Sequence, residues 1–245
     1  MKTIGIVGGV AWPSSIAYYR LINEMTSQRL GDDGLHSARL VLAQTDFEEV
    51  DRNQREGRWD VVGDLLAEQG NKLKAAGADF FLIACNTVHA AADRIESAVD
   101  LPFLHIVDPA ARQVRERGFT TVGLLGSRYT MTGDYFVNRL RERYDLKVLV
   151  AEGEHQENVH NALCQELAKG VFLAATRNKF KAAIADLVER GAEVVVLGCT
   201  EFGLLVKPED SPVPIIDTAV AHAEAAVDLA LAPETGQGHV VGPRR

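Results

Sequence analysis

Short apolar runs alternate with longer stretches of helical periodicity along the whole chain. Residues 3–7, 39–43, 80–83, 101–107, 121–125, 146–151, 194–197 and 213–216 are apolar runs of strand length. Runs of this kind, bounded by glycine or turn residues, mark strands covered on both faces. Between them, Ile16, Tyr19, Ile22 and Met25 recur near helical spacing behind the cap candidates Ser14 and Ser15. Val61, Val62, Leu65, Leu66, Gln69 and Leu73 trace another helix, ended near Gly77. Further helices are predicted from about Thr87, before Gly118, over 159–173, over 179–188 and over 218–231. Strand and helix alternate, so the predicted class is α/β, with mainly parallel sheets flanked by helices.

The pattern occurs twice. Thr121-Val122-Gly123-Leu124-Leu125-Gly126-Ser127 imitates Thr3-Ile4-Gly5-Ile6-Val7-Gly8-Gly9, and Gly191-Ala192-Glu193 matches Gly77-Ala78-Asp79. The segment from Val213 to Asp217 likewise repeats the one from Leu101 to Asp108. These three landmarks, with a fourth at two cysteines, recur in the same order and indicate a duplicated chain. The expected division is residues 1–108 plus 213–232 as a discontinuous first domain, 109–212 as the second, and 233–245 as a mobile tail.

The duplication matters most at two cysteines. Ala84-Cys85-Asn86-Thr87 succeeds one apolar run and Gly198-Cys199-Thr200-Glu201 succeeds its counterpart. Ligands of open α/β sheets bind outside the carboxyl ends of strands, where the next helix begins. A thiolate is a base and a nucleophile and a thiol is an acid, and a helix start lowers a thiol pKa. Two sulfurs meeting one substrate from opposite sides would remove a proton from one face of a carbon and supply it to the other. A single buried cysteine is more often a small hydrophobe; the repeated placement favours function. Cys164 has no counterpart and reads as structural. His89 reads as structural or as tuning the thiol. No Cys-x-x-Cys pair or compact zinc ligand set occurs, and a nucleophilic hydrolase would leave one cysteine unused.

Gly8-Gly9 is either a tight turn or a close approach of backbone to a small anion. The polar stretch 44–58, with Arg52, Gln54 and Arg55, is expected as a loop overhanging the site. A formal charge of −8 without a dense basic run disfavours nucleic acid and anionic membranes. No apolar stretch approaches the roughly 20 residues of a membrane span. The start of the chain reads as a first strand rather than a signal peptide. Three widely spaced cysteines suit a reducing cytoplasm.

At these residues the chain resembles the aspartate/glutamate racemase superfamily, with its Cys-Asn-Thr and Gly-Cys-Thr motifs. It is most similar to the bacterial amino-acid racemase branch in Gly8-Gly9…Trp12, Tyr18 to Glu24, Leu101 to Ile106, Leu125 to Met131 and Gly198 to Glu201. The cell-wall glutamate racemases, with Asp-Ser-Gly near the start and a histidine after Gly-Cys-Thr, are less similar. The resemblance implies two Rossmann-like domains related by a pseudo-twofold axis, with the active site in the cleft between them. It implies two-base racemisation without a cofactor, a small dicarboxylic amino acid (aspartate or glutamate) as substrate, and a homodimer. Cys85 would serve the D-enantiomer face and Cys199 the L-face. The substrate contacts it implies are Val10, Gln54, Asn86, Thr87, Ser127, Thr130 and Thr200, with Asn86 and Thr87 binding carboxylate. Gly9, Trp12, Arg52, Glu201 and Lys169 are further candidates, Lys169 lying near a carboxylate-binding lysine of archaeal relatives. Alternatives on the same scaffold are a maleate-isomerase-like or decarboxylating cysteine enzyme; a non-catalytic dicarboxylate-binding protein is a third.

Overall fold

The structure, a computed structural model, describes residues 1–31 and 33–233. Its first half runs β1 (Ile4–Gly8), α1 (Trp12–Leu30), β2 (Leu40–Gln44), α2 (Phe47–Arg55), α3 (Trp59–Ala75), β3 (Phe80–Ile83), a 3-10 turn (Thr87–Ala91) and α4 (Ala92–Ala98). The second half runs α5 (Val107–Glu116), β4 (Thr121–Gly126), α6 (Arg128–Thr132), α7 (Asp134–Tyr144), β5 (Lys147–Val150), α8 (Gly153–Gln165), α9 (Ala174–Glu189), β6 (Val194–Gly198), α10 (Phe202–Leu205), β7 (Ile215–Asp217) and α11 (Thr218–Leu231). The strands form two parallel sheets, ordered β2-β1-β3 and β5-β4-β6-β7.

Each sheet is covered on both faces, and that is why β1, β3 and β6 are buried along their whole length. In the first half, Val7, Phe81 and Ile83 pack with Val62 and Leu66 of α3, while Ile6, Phe80 and Leu82 pack with Tyr18 of α1 and Ala223 and Val227 of α11. In the second, Leu125, Val195 and Leu197 meet Phe180 and Ile184 of α9, and Val122, Leu124 and Val196 meet Val114 and Phe136. Ile83 pairs with Val7 and Gly198 with Gly126, so each cysteine leaves its sheet beside the end of the central strand.

Several elements depart from the sequence expectation. The stretch after β2 is not a loop: Asp46 accepts from the Glu48 N–H and caps α2. Residues 101–107 make only one strand-like contact, Phe103 beside Phe81. Pro102 has no N–H for a ladder, and the Val107 N–H then donates to His105 Nδ1 as the chain turns into α5. In α1 the apolar spacing is buried only in part: Ile22 points inward and Met25 packs on the core, but Ile16 and Tyr19 are exposed, and Ser14, Ser15 and Tyr18 share the inward face. Finally, 215–217, expected with the first half, pair with β6 of the second sheet. Only α11 returns to the first half, packing on α1. The expected tail from residue 234 onward lies outside the described residues.

Candidate active site

Beyond β3 the chain turns sharply, with the Cys85 N–H bonded to the Ile83 carbonyl at 2.8 Å. The chain continues as a 3-10 turn rather than as the start of a long α-helix. His89, buried four residues on, donates Nδ1–H to the Cys85 carbonyl at 2.8 Å, since its Nε2 accepts from the Ile106 N–H. Burial pushes the Cys85 thiol up to about 11; the N–H groups of Val88 and Thr87, directed at the sulfur, oppose this, and the charge of Glu201 adds to it. The expected lowering by a helix start is therefore overturned. Two amides do not offset the loss of water.

Beyond β6 the arrangement differs. Cys199 Sγ–H donates to Glu201 Oε2 at 2.9 Å. Thr200 Oγ1 donates to the same oxygen at 2.7 Å and Ser14 Oγ to Oε1 at 2.9 Å, the two hydroxyl oxygens lying 2.7 Å apart. Burial raises the Cys199 thiol well above its ordinary value, and the Glu201 charge, its hydrogen bond and Cys85 push the same way.

Hydroxyl groups join the halves. Thr87 Oγ1 lies 3.1 Å from Ser127 Oγ, which lies 3.1 Å from Thr130 Oγ1, which lies 3.1 Å from the Tyr135 hydroxyl. Tyr135 also donates to the Asn86 carbonyl at 3.4 Å. A second link runs behind the cysteines: Asn86 Nδ2 donates to Thr218 Oγ1 at 3.0 Å, and Thr218 donates to the Leu197 carbonyl at 2.8 Å. Because that hydroxyl proton is committed to Leu197, Asn86 must present its amide nitrogen to Thr218. Its Oδ1 is buried with no partner among the described residues.

The structure therefore brings together Cys85, Asn86, Thr87, Ser127, Thr130, Cys199, Thr200 and Glu201. Val10 and Gln54 are buried, Val10 packing beside Val50 of α2. Arg52 and Lys169 make no side-chain hydrogen bond or ion pair among the described residues, and both are exposed; Trp12 is 63% exposed. Gly9 serves the chain itself. Its φ of +86° favours glycine, a Cβ there would strike the Thr45 carbonyl, and its N–H is taken by Ser15 Oγ. Sequence reasoning missed Ser14, Tyr135 and Thr218. Ser14 reads only as a cap, and nothing local distinguishes the other two.

Residues 7–226 match the Asp/Glu/Hydantoin racemase family. The chain belongs to that family. It is accordingly an isomerase of the racemase type. Similar proteins include the broad-specificity amino-acid racemase RacX of Bacillus subtilis, 24% identical over 66% of this chain and 69% of its own length. A glutamate racemase of Roseiflexus is 30% identical over 63% of this chain, and the match spans only 56% of that relative. Among solved structures, a proposed Asp/Glu racemase from Yersinia pestis superposes with a TM-score of 0.89 at 39% identity, covering 95% of this chain and 100% of that one. The two-domain α/β fold of the family is the fold seen here. No helix among the described residues is long and apolar enough to cross a membrane.

Proposed function

We propose that this racemase interconverts the enantiomers of aspartate or glutamate by a two-base exchange at Cα between Cys85 and Cys199, without a cofactor. The observation that carries the proposal is the pair of thiols at equivalent strand ends, in turns that Thr87 and Ser127 link across the two halves. In the L to D direction, Glu201 takes the Cys199 proton: the S–H bond breaks and an O–H bond forms. The thiolate then removes the Cα proton, leaving its electron pair delocalised into the substrate carboxylate. Cys85 S–H supplies a proton to the opposite face, and its own thiolate is held by the amides of Thr87 and Val88. Solvent returns the Glu201 proton to Cys85.

The unpartnered Asn86 Oδ1 supports a specific placement. An acceptor without a donor, buried beside Cys85, suits the substrate ammonium rather than a carboxylate. The ammonium would also lower both thiol pKa values, which burial alone leaves too high for a base. The hydroxyls of Thr87, Ser127, Thr130 and Thr200 then suit the carboxylates, and Lys169 and Arg52 remain candidates for the distal one. A homodimer in the cytoplasm is part of the same proposal.

Circular dichroism of L- and D-aspartate and glutamate with the purified protein, together with deuterium uptake at Cα from heavy water, tests it. The expected result is loss of signal from both enantiomers with exchange. Neither signal loss nor exchange with either acid would discard this substrate class. Deuterium uptake without inversion would leave one sulfur working and refute the two-base step.

A further inference from the structure

Tyr135 borders a second space, a cavity of about 250 Å³ between the 3-10 turn and α4 on one side and α7 on the other. None of the cysteine-turn hydroxyls lines it. Two buried histidines do, His89 and His105, and they differ in one respect. Both ring nitrogens of His89 are engaged, by the Cys85 carbonyl and the Ile106 N–H. His105 Nδ1 accepts from the Val107 N–H at 3.2 Å, while its Nε2 makes no hydrogen bond among the described residues. Burial, then His89, Arg139, His222 and Arg143, hold the ring uncharged. A neutral ring whose Nδ1 is an acceptor carries its one proton on Nε2. A buried residue therefore offers an unpartnered N–H donor at the cavity.

Both signs of charge line the cavity, Arg139 and Arg143 together with the carboxylates of Asp93, Asp134 and Glu142. Arg139 spends Nε and Nη2 on Asp108, at 2.6 and 2.7 Å, and keeps Nη1 free. Arg143 lines the cavity, is exposed and forms no ion pair among the described residues. A planar oxyanion matches a ring N–H and a guanidinium together. We propose that this cavity binds the carboxylate of a small organic acid or amino acid, with His105 Nε2–H and Arg143 as its donors. Because the same Tyr135 lines this space and bonds Thr130 and Asn86 at the cysteine site, occupancy would reach the candidate active site through one side chain.

The test reads binding and so stands apart from the racemase proposal. In protein with 15N-labelled histidines, long-range proton–nitrogen spectra report the His105 tautomer and follow Nε2 during additions of sodium acetate or glycine. The expected result is a saturable shift of His105 Nε2 by about 10 mM, where a site of millimolar affinity is largely filled. Apparent affinity should drop about three- to tenfold in Arg143→Met. Tighter binding of glycine than acetate assigns the site to amino acids; the reverse assigns it to organic acids. Three results would each overturn the proposal: no saturable shift with either probe, an equal shift with sodium chloride, or an unchanged affinity in Arg143→Met.

Discussion

The two cysteine turns occupy equivalent places in a duplicated chain, yet they are built differently. Cys85 is backed by main-chain amides and by a neutral histidine that holds its carbonyl. Cys199 is backed by a buried carboxylate shared with two hydroxyls. The first turn can stabilise a negative sulfur once formed. The second can take the proton away. The strands and the sulfurs repeat between the halves, and the residues around them differ.

The most direct way to break the comparison is to remove one sulfur at a time. Cys85→Ser and Cys199→Ser should each lower racemisation by about 10²–10⁴-fold, the usual worth of a positioned acid or base. Polarimetry should show inversion lost in both, while deuterium uptake persists from one enantiomer only, a different one for each variant. Symmetric loss of all exchange would mean that the sulfurs do not divide the faces between them.

Glu201→Gln sharpens the difference, since it keeps the shape and removes the proton acceptor. Exchange from the L-enantiomer should fall by about ten- to a hundredfold, with a smaller effect on exchange from the D-enantiomer. Equal effects on both enantiomers would make Glu201 a general structural support.

Acid should act on the first turn before the second. In the folded protein burial lowers the pKa of His89 to about 3 and that of His222 to about 4. Their unfolded value is about 6.5, so the unfolded chain takes up protons first as pH falls. The stability they contribute is complete above about 6.5 and is lost on the way down to the folded values. At about 1.4 kcal/mol per unit, this amounts to about 3 kcal/mol for each histidine by about pH 4. Urea midpoints at neutral and mildly acid pH measure it, and hydrogen exchange should show the Cys85 turn opening first. A midpoint independent of pH in this window would remove the histidines from the account.

The smallest effect concerns the bridge between the turns. Tyr135→Phe deletes hydrogen bonds to Thr130 and Asn86, worth about 1 kcal/mol each. The expected change is at most about tenfold in kcat/KM, with little change in the thermal midpoint.

Much of this could be read from the chain alone. Buried parallel strands are continuous apolar runs, and cysteines at their ends announce themselves by repetition. The rest depends on contacts between residues far apart in sequence. Ser14 meets Thr200 and Glu201 across a gap of 186 and 187 positions, and no local pattern separates such a serine from a cap. The apolar set Ile16, Tyr19 is misleading because the inward face of α1 carries serines for the site. The strand at 215–217 joins the other sheet because pairing beside β6 depends on which neighbour is free, which hydropathy does not encode.

The hydroxyls that link the two halves pair with one another. A hydroxyl can donate or accept, so Thr87 and Ser127 satisfy each other without a fixed direction. An arriving oxyanion needs only to turn both O–H bonds toward itself, trading one neutral contact for stronger charge-assisted ones. Accepting such a ligand therefore demands little energy in advance. A contact made of interchangeable donors and acceptors is exchanged most readily for a guest toward whose charge both can turn.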